Sequence, residues 1–137
     1  MAHWLYKSEP GTWSWDDQVK AGSTFWDGVR NAQANNNMKA MRVGERGFFY
    51  HSGDERAVVG VVEVVKTWYP DPKDDTGRYG MVDLKTVGAF PQPVALAAIK
   101  AEPALAEMVL VKNSRLSVQP VTDAEWSRVC AMGGYKP

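Results

Sequence analysis

The stretch Ala57-Val58-Val59-Gly60-Val61-Val62-Glu63-Val64-Val65-Lys66-Thr67-Trp68 decides the fold. It is rich in β-branched residues, which fit a pleated surface, and it is apolar on both faces, as a central strand is. Gly60 within it marks a bulge or a bend around a barrel. The run stops at Tyr69-Pro70-Asp71-Pro72, and a charged loop from Lys73 to Arg78 follows. Beyond the loop, Val82, Leu84 and Thr86 alternate with Asp83 and Lys85 over Gly80 to Val87. That period of two belongs to a strand with one face on the core and the other on water. Upstream, Ser52-Gly53-Asp54-Glu55 is a turn, and Gly47-Phe48-Phe49-Tyr50-His51-Ser52 before it is a further strand.

Further outward, His3-Trp4-Leu5-Tyr6-Lys7 reads as a first strand ending at Ser8-Glu9-Pro10-Gly11. Ser14 and Asp17 have the spacing of a capping box, Trp15 and Val19 share a helix face, and Gly22 is a suitable stop. From Asn31, Ala34, Met38 and Met41 recur at helical spacing while Asn35, Lys39 and Arg42 fall on a polar face, so Asn31 caps a second helix. Pro91 and Pro93 introduce short helices over Val94 to Lys100 and Pro103 to Met108, because proline is tolerated in a first turn. A strand over Arg115 to Pro120 follows. Thr122 with Glu125 then caps a last helix that turns Trp126, Val129 and Cys130 inward and stops at Gly133-Gly134. With no internal repeat or low-complexity linker, the order predicts a single α+β domain over 1–137 whose strands curl into a small barrel.

Sixteen basic residues balance sixteen acidic ones, so a strong cationic field is not available for holding nucleic acid, and any such contact is local. The single cysteine, Cys130, cannot form an internal bridge, and a reducing cytoplasm is the expected setting. No apolar run approaches the roughly 20 residues of a membrane helix, and no secretory leader is recognisable, so a soluble, unprocessed chain with no membrane partner is expected. Phosphate-loop and dinucleotide glycine motifs and Cys-x-x-Cys pairs are missing, and His3 and His51 are not at metal-ligand spacing, so no cofactor or metal is expected. His51 and Ser52 are neighbours on a strand and point to opposite faces, which argues against a hydrolytic pair.

What remains is an inventory for recognition. Six tryptophans exceed what a core of this size needs. Trp26-Asp27-Gly28-Val29-Arg30-Asn31 sets an indole beside amide and cationic groups across a flexible glycine. Trp13, Trp68 and Tyr69 also lie near turns, with Ser8, Asn31 and Ser52 beside them and Lys7 and Arg30 close by. Aromatic rings stack on a base at about 1–3 kcal/mol each, while amides and hydroxyls read its edge.

Trp4-Leu5-Tyr6-Lys7-Ser8-Glu9-Pro10, Trp26 to Asn31 with Gln33-Ala34, Phe48 to Ser52, Tyr69-Pro70-Asp71, Met81-Val82-Asp83 and Arg115 to Pro120 together resemble the EVE domain, in order and over nearly the whole chain. The resemblance implies a PUA-like fold, a small curved β-barrel flanked by short helices, related to the YTH and ASCH domains. It also implies a nucleobase pocket for a modified base in DNA or RNA, with bacterial members linked to restriction of modified DNA or to RNA and translation. Carried over motif by motif, that pocket is lined by Lys7, Ser8, Glu9, Trp26, Val29, Arg30, Asn31, Ser52, Tyr69 and Pro70. The loop Lys73 to Arg78 is shorter than in the eukaryotic relative, and the basic N-terminal extension of that relative is not seen, which suggests a compact bacterial-type member.

The expectation is therefore a non-catalytic reader in which Trp26 stacks on the base and Asn31 and Ser8 read its edge, any later chemistry falling to a partner enzyme in trans. The alternative is an enzyme acting on a nucleoside or nucleotide, with Glu9 or His51 as general base in the same pocket. A protein-interaction module is a third class and requires a large exposed apolar patch.

Overall fold

A computed structural model describes all residues, 1–137. In chain order it contains β1 (His3–Ser8), α1 (Trp15–Ala21), β2 (Ser23–Phe25), α2 (Ala32–Ala40), β3 (Arg46–His51), β4 (Ala57–Pro70) and β5 (Gly80–Ala95). Then follow α3 (Leu96–Ala101), a 3-10 turn (Pro103–Leu105), α4 (Val109–Lys112), β6 (Val118–Val121) and α5 (Asp123–Met132). The strands form one six-stranded sheet in the order β2-β5-β4-β3-β1-β6. β1 runs parallel to β3, and every other pairing is antiparallel. The sheet is curved but does not close, since β2 and β6 remain edges, so the barrel expected from the strand count is an open one.

Alternation on the strands divides the core into two layers. Trp4 and Tyr6 of β1 and Phe49 of β3 join Trp15, Trp26, Ala34 and Met38 on one face, whereas Leu5, Phe48 and Tyr50 join Ile99, Leu105, Leu110, Trp126 and Val129 on the other. The valine run of β4 feeds both layers, as its two-sided apolar character predicts. Val58 and Val61 lie on the same face despite an odd spacing, because the pairing with β5 slips between Val58 and Gly60. That slip is the bulge expected at Gly60. A Cβ on Gly60 would overlap the ring of Trp15, so the residue also admits the indole against the strand.

Several expectations are corrected. Pro91 and Pro93 lie within β5 rather than starting a helix. Between the pairs Gly60–Ala89 and Val58–Val94 the chain bows away from β4, and Gln92 N–H donates instead to Gly133 O at 3.1 Å, so prolines with no N–H cost nothing there. The helix expected over Pro103 to Met108 is a 3-10 turn followed by α4. β4 continues through Tyr69 and Pro70, which pair with Met81 and Gly80. In α1 the side chain buried behind Trp15 is Gln18, and Val19 is half exposed. In α2 Asn35 is buried rather than solvated. The capping boxes at Ser14/Asp17 and Thr122/Glu125, the Gly22 stop and the Asn31 cap are all present.

Candidate nucleobase-binding site

At one end of the sheet, a cleft of about 500 Å³ opens where the end of β1, the turn before α1, β2 and the loop 26–30 converge. That volume is within the range of small-molecule sites. The extended β1 brings Lys7, Ser8 and Glu9 to its mouth. Trp26, Val29 and Arg30 form another wall, so six of the expected residues meet here.

Trp26 is held rigidly. Its N–H donates to Val82 O at 2.7 Å, and its ring meets Tyr6 and Phe49 edge-on, each with centroids 5.6 Å apart. Only 9% of the residue is exposed, so it offers the cleft a rigid floor rather than a broad plate. Its indole N–H has no protein partner. Since Gln119 Oε1 is the one fully buried side-chain polar atom lacking a partner, the Trp26 donor keeps solvent access at a residue that lines the cleft. Larger aromatic surfaces come from Phe25, 55% exposed on β2, and from half-buried Trp13, whose Nε1–H donates to Gln18 Oε1 at 3.0 Å.

The loop 26–30 is anchored by Asp71. Gly28, at φ 77°, turns its N–H to Asp71 Oδ2 at 2.9 Å, and Arg30 Nη1 reaches the same oxygen at 3.1 Å. Burial raises the proton affinity of this carboxylate, but the Gly28 and Lys73 N–H donors and the Arg30 guanidinium outweigh it and hold the pKa below the ordinary value. Lys73 Nζ pairs with Asp27 at 2.7 Å, a second link between loop and hairpin. The Lys7 ammonium donates to Ser114 O, and burial lowers its pKa. Ser8 Oγ–H donates to Trp13 O, leaving its lone pairs as acceptors.

Asn31, Ser52, Tyr69 and Pro70 do not line the cleft. Asn31 Oδ1 accepts from Ala34 N–H at 2.9 Å and is committed to capping α2. Ser52 N–H donates to Ser8 O at 2.9 Å and braces β1. Tyr69 OH donates to Asp83, with Lys66 Nζ 3.9 Å from its ring centre, and Pro70 leads into Asp71. These residues support the walls from behind. His51 is occupied on both nitrogens, Nε2 accepting from Trp15 N–H at 2.9 Å and Nδ1 facing Glu55, so its lone pair is not offered to a ligand. Thr12, Thr24, Phe25, Asp27, Lys73 and Ser117 line the cleft without having been expected there. The three-residue strand β2, which carries two of them, is too short for periodicity to show.

An open, curved sheet with helices on both faces and an aromatic, polar cleft at its end defines the class: a PUA-like domain with room for one planar ligand. The chain belongs to the EVE domain family, whose model matches residues 2–132. Human thymocyte nuclear protein 1 is 36% identical over 171 aligned residues, covering 99% of this chain and 76% of that protein. A crystal structure of a protein from Agrobacterium tumefaciens superposes with TM-score 0.95 at 49% identity, over 98% of this chain and 94% of that one. Human THYN1 in complex with 5-methylcytosine-containing DNA superposes with TM-score 0.88 at 34% identity over the full length of both chains. A Zygosaccharomyces rouxii YTH domain in complex with N6-methyladenosine RNA, 16% identical over 99% of this chain and 88% of that one, shares the fold at TM-score 0.58.

Proposed function

We propose that this chain is a nucleic-acid-binding reader that accepts one modified base, flipped or single-stranded, into the cleft and does no chemistry on it. The observation that carries the reading is the rigid Trp26, with a free indole donor, on a cleft of base-accommodating size. The 34% identical human protein held on 5-methylcytosine DNA makes a methylated cytosine the first ligand to test. Phe25 and Trp13 supply faces for stacking, Ser8 an acceptor, and Arg30 and Lys73 a cationic rim. Any reaction on the bound nucleic acid falls to a partner enzyme in trans. No helix is long and apolar enough to cross a membrane, and the setting proposed is the cytoplasm.

A methyl group buried in the cleft contributes about 0.8 kcal/mol, a few-fold in affinity, unless the plain base also leaves a polar group unpaired. Calorimetric titration with oligonucleotides carrying 5-methylcytosine, N6-methyladenine or the plain bases tests the reading. Phe25→Ala, which removes the exposed ring of the cleft, is expected to weaken binding by about 1–3 kcal/mol. Undetectable or identical binding across the panel would sink it. Incubation with a nucleoside panel, followed by chromatography, tests the catalytic alternative: a product that disappears in Glu9→Gln would replace reading by turnover.

A further inference from the structure

A line of cations and aromatic rings continues from the Arg30 side of the cleft across the β4–β5 hairpin to the end of α2. The Arg30 guanidinium carbon is 5.8 Å from the centre of the Tyr79 ring. Next to Tyr79, Arg78 is exposed, and its carbonyl accepts from Asn35 Nδ2 at 3.0 Å, which fixes the backbone beneath the side chain. Asn35 Oδ1 in turn accepts from Trp68 Nε1 at 2.8 Å, and Lys39 Nζ lies 4.7 Å from the centre of a Trp68 ring.

Neither Arg78 nor Lys39 has a carboxylate partner; Lys20, Lys100 and Arg115 also lack one, and what sets Arg78 and Lys39 apart is their place on the ring-lined path that leaves the cleft. Asp74, beside Arg78 in the hairpin loop, is turned to Thr76 and to Tyr79 N–H, which leaves Asp75 as the uncommitted acid of that loop. Lys39 on the Trp68 face and the exposed Arg78, both free of carboxylate partners, are available to an external anion, and the path to them starts at Arg30 on the rim of the cleft.

Resting on the base-reading function above, we propose that the strand leaving the cleft on the Arg30 side crosses the hairpin, with successive phosphates against Arg78 and Lys39. The ligand is the sugar–phosphate backbone of single-stranded DNA or RNA. Formal neutrality of the whole chain fits a local phosphate contact rather than a broad cationic field.

The test is a salt titration of anisotropy with a short labelled single-stranded DNA carrying one 5-methylcytosine, beside its unmethylated and N6-methyladenine counterparts. Wild type is compared with Arg78→Gln, Lys39→Gln, the double variant, and Lys100→Gln on α3 at the other face of the sheet. Each single substitution in the track is expected to make the log–log salt slope shallower by about 0.7, and the double by about 1.4, with Lys100→Gln unchanged. Binding of free 5-methyl-2′-deoxycytidine, which has no phosphate, should be the same in all variants. A double variant with the wild-type slope, while wild type still discriminates a modified base, overturns the track and leaves the base reading standing. Wild type that discriminates no modified base overturns the base reading and the track with it.

Discussion

Asp71 is the residue on which the cleft loop depends. Its buried carboxylate takes N–H donors from Gly28 and Lys73, each at 2.9 Å, and the Arg30 guanidinium at 3.1 Å. Asp71→Asn removes the charge and half of the acceptors, and a hydrogen bond to a charged group is worth about 1.5–3 kcal/mol. The variant is expected to lose stability on that scale in urea denaturation and to bind base more weakly, through the loop. Glu45 is a second such anchor: it accepts from Trp4 Nε1, Ala2 N–H and Arg42 N–H, which together overcome burial and lower its pKa. Both carboxylates have folded-state pKa values below their unfolded ones. Their contribution is therefore complete above the ordinary carboxylate range and is lost as pH falls through the lowered values. Stability measured against pH should be flat near neutrality and fall below about pH 4, less steeply in Asp71→Asn.

At the scale of the element, α2 is fixed at its start by Asn31 and along its buried side by Asn35. Asn31→Ala leaves the Ala34 N–H unpaired and should cost about 1 kcal/mol, whereas Asn31→Asp keeps the cap. If the cap is the role of Asn31, Asp restores both stability and binding in a thermal melt and a titration; restored stability with binding still lost would identify it as an edge reader. Asn35 joins elements distant in sequence, accepting from Trp68 Nε1 and from Gly80 N–H and donating to Arg78 O. On β4, Gly60→Ala drives a methyl into the Trp15 ring, and such overpacking typically costs about 1–3 kcal/mol, measurable as a lower denaturation midpoint.

For the whole molecule, the sheet separates the cleft from a second core. Trp126 of α5 stacks on Phe48 at 4.1 Å and on His3 at 4.3 Å, on the face away from the cleft. Trp126→Ala should therefore cost about 3–5 kcal/mol of stability while the affinity of the folded fraction for base is unchanged. Parallel chemical denaturation and titration check this, and a matching loss of affinity would mean that the two faces are coupled. Cys130 lies in the same layer, 1% exposed, with burial pushing its thiol up to about 11. Its reaction with a thiol reagent should follow global unfolding.

The features legible in the sequence are those whose causes lie within a few residues: the capping boxes at Ser14/Asp17 and Thr122/Glu125, the two-sided valine run of β4, the Gly60 bulge, and the grouping of Trp26, Val29 and Arg30 in one loop. Lys7 and Ser8 stood in the inventory for recognition, and the ordered motifs of the EVE domain added Glu9 to the same cleft. What the sequence by itself left open is whatever is satisfied from far along the chain. Gln18 and Asn35 look like surface amides, yet they are buried because Leu84 O, 66 residues on, and Gly80 N–H, 45 residues on, supply their partners. Pro91 and Pro93 look like helix starts, yet they sit in a strand whose bowed segment is held by Gly133 O. Asp71 looks like a turn residue, yet it anchors a loop 43 residues earlier. Local propensity and periodicity set the elements; the tertiary structure alone decided which polar groups could be buried, because a buried donor or acceptor is stable only where the fold brings its partner.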